Sequence, residues 1–169
     1  IKCIVLDSLN HLIITASING SITLLNQYTH SIVTHVEKAH ETAIVQMYLI
    51  NHHKGCYFIT ISTKSIKLWS YHHQLSCLHT FYLPLGNTLP ICYYHAKTYT
   101  LIIGHDNKLN QLDLKSYLSN NQKTTTTTIH MKPIHNYIKE KGKISSICII
   151  PGLQHVLLGT TNGQHIIIQ

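Results

Sequence analysis

Residues 56–69 read Cys56-Tyr57-Phe58-Ile59-Thr60-Ile61, then Ser62-Thr63-Lys64, then Ser65-Ile66-Lys67-Leu68-Trp69. Two runs of β-branched and aromatic residues flank a short polar break. Such side chains fit a pleated, half-buried surface, and small polar residues make the turn between two strands. The stretch predicts a β-hairpin.

The same pattern occurs three more times. Residues 11–17 and 21–25 flank Ile18-Asn19-Gly20, and residues 99–104 and 108–113 flank His105-Asp106-Asn107. Residues 155–160 and 164–168 flank Thr161-Asn162-Gly163. Two of the breaks carry Asn-Gly, a pair that tolerates positive φ and is a strong hairpin signal. Ahead of each hairpin lies one more short apolar run with sulfur near its middle: Cys3, Met47, Cys92 and Cys148. Successive sulfurs are 44, 45 and 56 residues apart. They read as equivalent buried positions on first strands, since a free Cys packs as a small hydrophobe.

A period near 44 with strand-sized runs predicts an all-β repeat architecture of propeller blades. The weak helical candidate at residues 134–143 is bracketed by Pro133 and Gly142, so it amounts to a short turn at most. Expected repeat bounds are 1–38, 39–84, 85–138 and 139–169, the last incomplete. The extra residues of the third repeat, 119–128, are polar and low in complexity. They read as a loop that enters the repeat's fourth strand at its threonine run.

The repeats resemble the WD-repeat family. Its consensus has Gly-His before the first strand, Ser and Asp around the turn between the second and third strands, and Trp-Asp at the end of the third. Here Ala39-His40 takes the first place and Trp69-Ser70 the last. Asp106 and Leu112-Asp113 match in the third repeat, and Asn19 and Asn162 replace the turn Asp in the first and fourth. No copy has the family's whole His–Ser–Asp–Trp set. The resemblance implies an all-β partial β-propeller of four-stranded antiparallel WD-repeat-like blades. Closed propellers have roughly four to eight blades, so the expectation is that this chain is an excerpt of a longer protein.

Composition narrows the function. The chain has 169 residues, 44% hydrophobic and 11% charged. That is enough apolar material for a core, with no run near the roughly 18 residues of a membrane span. All 13 basic residues are Lys, against six acids, for a net charge of +7. Without Arg the chain lacks the planar fork that clamps phosphates and reads guanine edges. It equally lacks the paired-arginine loop of phosphoinositide-binding propellers. Lys132, Lys139, Lys141 and Lys143 with Tyr137 form a basic stretch that reads as a solvated loop and alternatively as a phosphate-meeting surface. Five cysteines without a C-x-x-C pair argue against a disulfide framework or a thiolate zinc site, and fit an intracellular compartment.

Catalysis finds no support. Six scattered acids leave little material for paired carboxylates. There is no G-x-S-x-G elbow and no glycine-rich phosphate loop. The pairs His52-His53 and His72-His73 read as polar loop residues, because zinc needs three or four converging ligands. No cofactor and no metal are expected. His40 reads as a capping residue of its blade.

The resemblance thus implies a non-catalytic scaffold that assembles other proteins into a multi-subunit complex. Partner contacts are expected at the turns between second and third strands, from Ser62, Lys64, His105 and Thr161. Glu41 and Asn87, on the loops entering the blades, would stand beside them. Two alternatives remain open on the sequence. One is an RNA- or ribonucleoprotein-binding propeller using Lys-rich loops. The other is a propeller appended to a trafficking protein or an enzyme.

Overall fold

Each predicted hairpin forms. The computed structural model describes residues 1–53, 55–72, 74–83, 89–105, 108–119, 125–127, 132–135, 142–150 and 155–168. Four small antiparallel sheets follow one another along the chain. The first contains β1 (Cys3–Asp7), β2 (Leu12–Ala16), β3 (Ile22–Asn26) and β4 (Ile32–Val36), side by side in that order. The second repeats the meander with β5 (Ile44–His52), β6 (Gly55–Ser62), β7 (Ser65–Ser70) and β8 (Ser76–Tyr82). The third has β9 (Ile91–His95), β10 (Thr100–His105) and β11 (Lys108–Asp113), followed by α1 (Lys115–Ser119). Its fourth strand is β13 (Lys132–His135). The last sheet holds β14 (Ile144–Ile150), β15 (His155–Thr160) and β16 (His165–Ile168).

The remaining strand, β12 (Thr125–Thr127), corrects an expectation. The threonine run does not enter the fourth strand of the third sheet. It pairs in parallel with β8 of the second sheet, Thr125 opposite His79 and Thr127 opposite Phe81. The short helix α1 also went unpredicted, because five residues are too few to show a 3.6-residue period.

The repeat is visible in the backbone bonds. One residue past the third strand, an amide reaches back to a carbonyl within one residue of the start of the second strand. Gln27 N donates to His11 O, Tyr71 N to Cys56 O and Leu114 N to Tyr99 O. The two Asn-Gly turns also share a pattern. Ser17 N donates to Ser21 O and Gly20 N to Ser17 O; Thr160 N donates to Gln164 O and Gly163 N to Thr160 O. Only the glycines take positive φ there, 83° at Gly20 and 74° at Gly163. The turns are therefore longer than the two-residue kind that Asn-Gly first suggests.

The sulfur alignment is off by one residue in the last sheet. Both β5 and β14 bulge near their starts, after Ile44 and after Ile144. Met47 lies opposite Thr60, two residues before the partner of Ile44. Ile147 lies opposite Leu158, two residues before the partner of Ile144, so Ile147 is the counterpart of Met47. Cys148 accordingly points to the other face and is exposed, whereas Met47 and Cys92 are buried and Cys3 is half-buried. A one-residue slip reverses a strand's faces.

The chain divides into two units, residues 1–85 with 121–129, and residues 86–120 with 130–169. In the first, Ile14, Ala16, Ile22 and Leu24 pack with Ala39, Ile44, Met47, Phe58 and Trp69. Phe58 and Trp69 are cross-strand partners with ring centroids 6.1 Å apart and planes 11° from parallel. Such a pair contributes about 1 kcal/mol beyond its burial. In the second unit Ile102, Leu109, Ile144, Leu158 and Ile168 form the core.

Candidate functional site

β6 carries a different polar arrangement at each end. At its C-terminal end lies the turn to β7. Ser62 Oγ accepts from the amides of Lys64 (3.3 Å) and Ser65 (3.1 Å) and donates to Ser65 O (3.0 Å). Ser62 is buried and holds the turn closed. Beside it, exposed Lys64 Nζ stands 3.6 Å from Glu41 of the loop entering β5. Thr63 Oγ1 donates to Thr42 Oγ1 at 2.8 Å, tying the same two segments.

Of the residues expected to meet partners, Glu41 and Lys64 are thus brought together at an exposed turn, and Ser62 lies beneath them. In the other unit His105 is buried at the end of β10. Thr161 is exposed, and its amide and hydroxyl both bond the Lys143 backbone (2.8 and 3.1 Å). Asn87 lies outside the described residues, as do Lys139, Lys141 and Tyr137 of the basic stretch.

Behind the turn is a buried polar chain. His40 Nδ1 lies 3.0 Å from Ser65 Oγ, and His40 Nε2 lies 2.6 Å from Thr60 Oγ1. Trp69 Nε1–H donates to Thr60 Oγ1 at 2.8 Å. A neutral imidazole, with one donor and one acceptor nitrogen, satisfies both hydroxyls. Burial, helped by the Lys67 charge, pushes the His40 pKa down to about 3. Lys67 Nζ donates to Ala39 O at 2.6 Å and sits 5.9 Å from the centroid of the Trp69 ring. His40 is one member of a chain from the preceding loop through β6 to β7.

The N-terminal end of β6 borders a cleft of about 670 Å³ that sequence reasoning missed. Asp7, Asn10, Cys56 and Tyr71 form a linked cluster in its wall. Asp7 accepts from the Leu9 and Asn10 amides (3.1 and 3.3 Å), from Asn10 Nδ2 (2.6 Å) and from the Tyr71 hydroxyl (2.6 Å). Asn10 Nδ2 also reaches Cys56 Sγ at 3.3 Å. Burial alone would raise the Asp7 pKa, but these four donors outweigh it and hold the carboxyl below its ordinary value. The Tyr71 phenol is pushed up by burial and by that carboxylate, so it stays protonated.

His52, His53 and His72 line the same cleft, with the His52 and His53 rings 4.3 Å apart. The strand ends bring together histidines twenty residues apart in sequence. The one available signal was Asp7, one of only six acids, placed at the end of a first strand. Chemically the cleft offers amides, imidazoles and a phenol for hydrogen bonding. Asp7 is already engaged on both oxygens, which makes it a poor general base. Among the described residues no three His, Cys, Asp or Glu side chains are placed to hold a metal ion. Burial pushes the Cys92 thiol far up, so it carries no thiolate at neutral pH.

No family model matches the chain, and no curated protein does. Solved structures do. The computationally designed Ika4 protein is 9% identical with a TM-score of 0.63, over 94% of this chain and 84% of that one. The computationally designed Ika8 protein is 9% identical with a TM-score of 0.67, over 98% of this chain and 44% of that one. At such identity the likeness is one of fold alone. What these findings establish is a repeat-like all-β chain of several small antiparallel sheets. Among the described residues no helix is long and apolar enough to cross a membrane.

Proposed function

We propose that this chain is a run of WD-repeat-like propeller blades serving as a non-catalytic, intracellular scaffold for other proteins. The observation that carries the reading is the buried chain Trp69–Thr60–His40–Ser65. It supplies the hydrogen-bonded His and Trp of the WD repeat, with Thr60 in the place of the strand hydroxyl and Ser65 in the place of the turn Asp. The four successive meanders support it too, since a propeller blade is a four-stranded sheet. A rigid sheet spends its stabilising contacts inside and leaves its turns to recognise partners. The exposed Glu41–Lys64 pair is the contact surface in this reading, working by charge complementarity.

The test is affinity capture of the protein from cells with wild-type, Glu41→Lys and Lys64→Glu forms, with mass spectrometry of what co-purifies. The reading expects protein partners that resist nuclease and are lost with either reversal. Partners lost on nuclease treatment would instead favour the ribonucleoprotein alternative. An unchanged partner set would remove the turn from the binding surface.

A further inference from the structure

Strand β12 belongs to no meander. The chain leaves the third sheet after α1, lays Thr125–Thr127 along β8 of the second sheet, and returns to the third sheet to form β13. Every neighbouring pair of strands within the four meanders is antiparallel; the β8–β12 pair is parallel. β8 is the outermost strand of its own meander, so its outer row of amides and carbonyls finds no partner within that meander. Such an edge is a template for a further strand.

Among the described residues, the occupant pairs with only part of this template. β8 runs for seven residues, Ser76–Tyr82, and β12 pairs with three of them, His79–Phe81. Three parallel pairings hold weakly on their own. Tethering makes up the difference, because a linked segment has an effective concentration in the millimolar range. A longer strand could use the rest of the edge. Main-chain bonds would give it affinity, and the β-branched, uncharged character of the resident segment indicates what fits.

We propose that the outer edge of β8 is a docking edge for an extended, uncharged, β-branched polypeptide segment lying parallel to it, with Thr125–Thr127 as its resident intramolecular occupant. This goes beyond the scaffold reading and does not depend on the Glu41–Lys64 turn.

The probe is a synthetic peptide of residues 124–129, five threonines and Ile129, blocked at both ends and labelled for fluorescence anisotropy. It is offered to the full chain and to a variant in which residues 121–129 are replaced by a Gly-Ser linker of equal length. The variant should bind at least tenfold more tightly than the full chain. A peptide with the central Thr126→Pro change should not bind, since proline removes an amide from the ladder. Amide hydrogen exchange at residues 79–81 should quicken in the variant and slow again with peptide. Absence of binding to the variant, equal binding to both proteins, or equal binding of the proline peptide would overturn the proposal. Should the linker variant fail to fold by circular dichroism, full-length Thr126→Pro replaces it. Unchanged exchange at residues 79–81 in that protein would equally overturn the proposal.

Discussion

His40 has both ring nitrogens engaged by hydroxyls inside the protein, and its acid–base behaviour follows from that. Its folded pKa, about 3, lies below the ordinary 6.5. Between those values an unfolded chain takes up a proton that the folded chain refuses. Stability from this residue is thus fully present above pH 6.5 and falls as the pH drops, by about 1.4 kcal/mol per pH unit inside the window. Urea unfolding at pH 7, 6 and 5 should show that slope. His40→Gln should be less stable at pH 7 by about 1–3 kcal/mol, the cost of buried hydroxyls losing a partner. Its pH dependence should also be flatter by about one proton; an equal slope in both proteins would place the titration elsewhere. Two glycines make a second comparison at this scale. A Cβ on Gly20 would lie 2.2 Å from His40 O, whereas one on Gly163 meets nothing within 4 Å, and both φ values are positive. Gly163→Ala should cost about 1 kcal/mol of backbone strain alone, and Gly20→Ala about 3 kcal/mol or more. Equal losses would mean that the Gly20 contact relaxes without cost.

Among the elements, the end of β7 is joined to the end of β1 by one hydrogen bond, Tyr71 hydroxyl to Asp7. The acceptor is a carboxylate, so Tyr71→Phe should cost about 1–2 kcal/mol at pH 7. The folded pKa of Asp7 is lowered, so the stability it brings is present above the ordinary carboxylate range and lost as the pH falls through the folded value. The gap between wild type and Tyr71→Phe should therefore close in acid; a gap independent of pH would show that packing, not charge, is what the hydroxyl supplies. The strands themselves were largely legible in the sequence. Alternation and turn chemistry located the first three strands of each sheet within a few residues, because both are local properties. Three features were not local. The pairing register decides which face a side chain takes, and a one-residue offset there hid the difference between Cys148 and Met47. The partner of the Thr125–Thr127 strand is forty-six residues earlier in the chain. The cleft is assembled from three separate stretches of chain, so no spacing announces it.

Over the whole molecule the unusual quantity is charge. The chain carries +7 with neutral histidines and has fifteen of them against six acids. So large a positive excess, with few acids to offset it, makes self-repulsion oppose the folded state. Salt at about 0.3 M shortens the Debye length to under 10 Å and should recover much of the stability lost to this repulsion. The share due to His40 is chiefly a desolvation effect and should respond little. Thermal melts at pH 5 across a salt series should consequently rise and then level off below the pH 7 value. A complete recovery would assign all the acid sensitivity to surface charge.

The turn that closes the first sheet also seats the second. Gly20 O accepts the His40 amide, Lys67 holds the neighbouring Ala39 carbonyl, and His40 then anchors β6 and β7. The two sheets thus behave as adjacent spins in a one-dimensional array, in which part of each repeat's stability is an interface term shared with its neighbour. Damage at Gly20 should spread forward into β6 and β7 before it reaches β4, although β4 is closer in the chain to Gly20 than either of them.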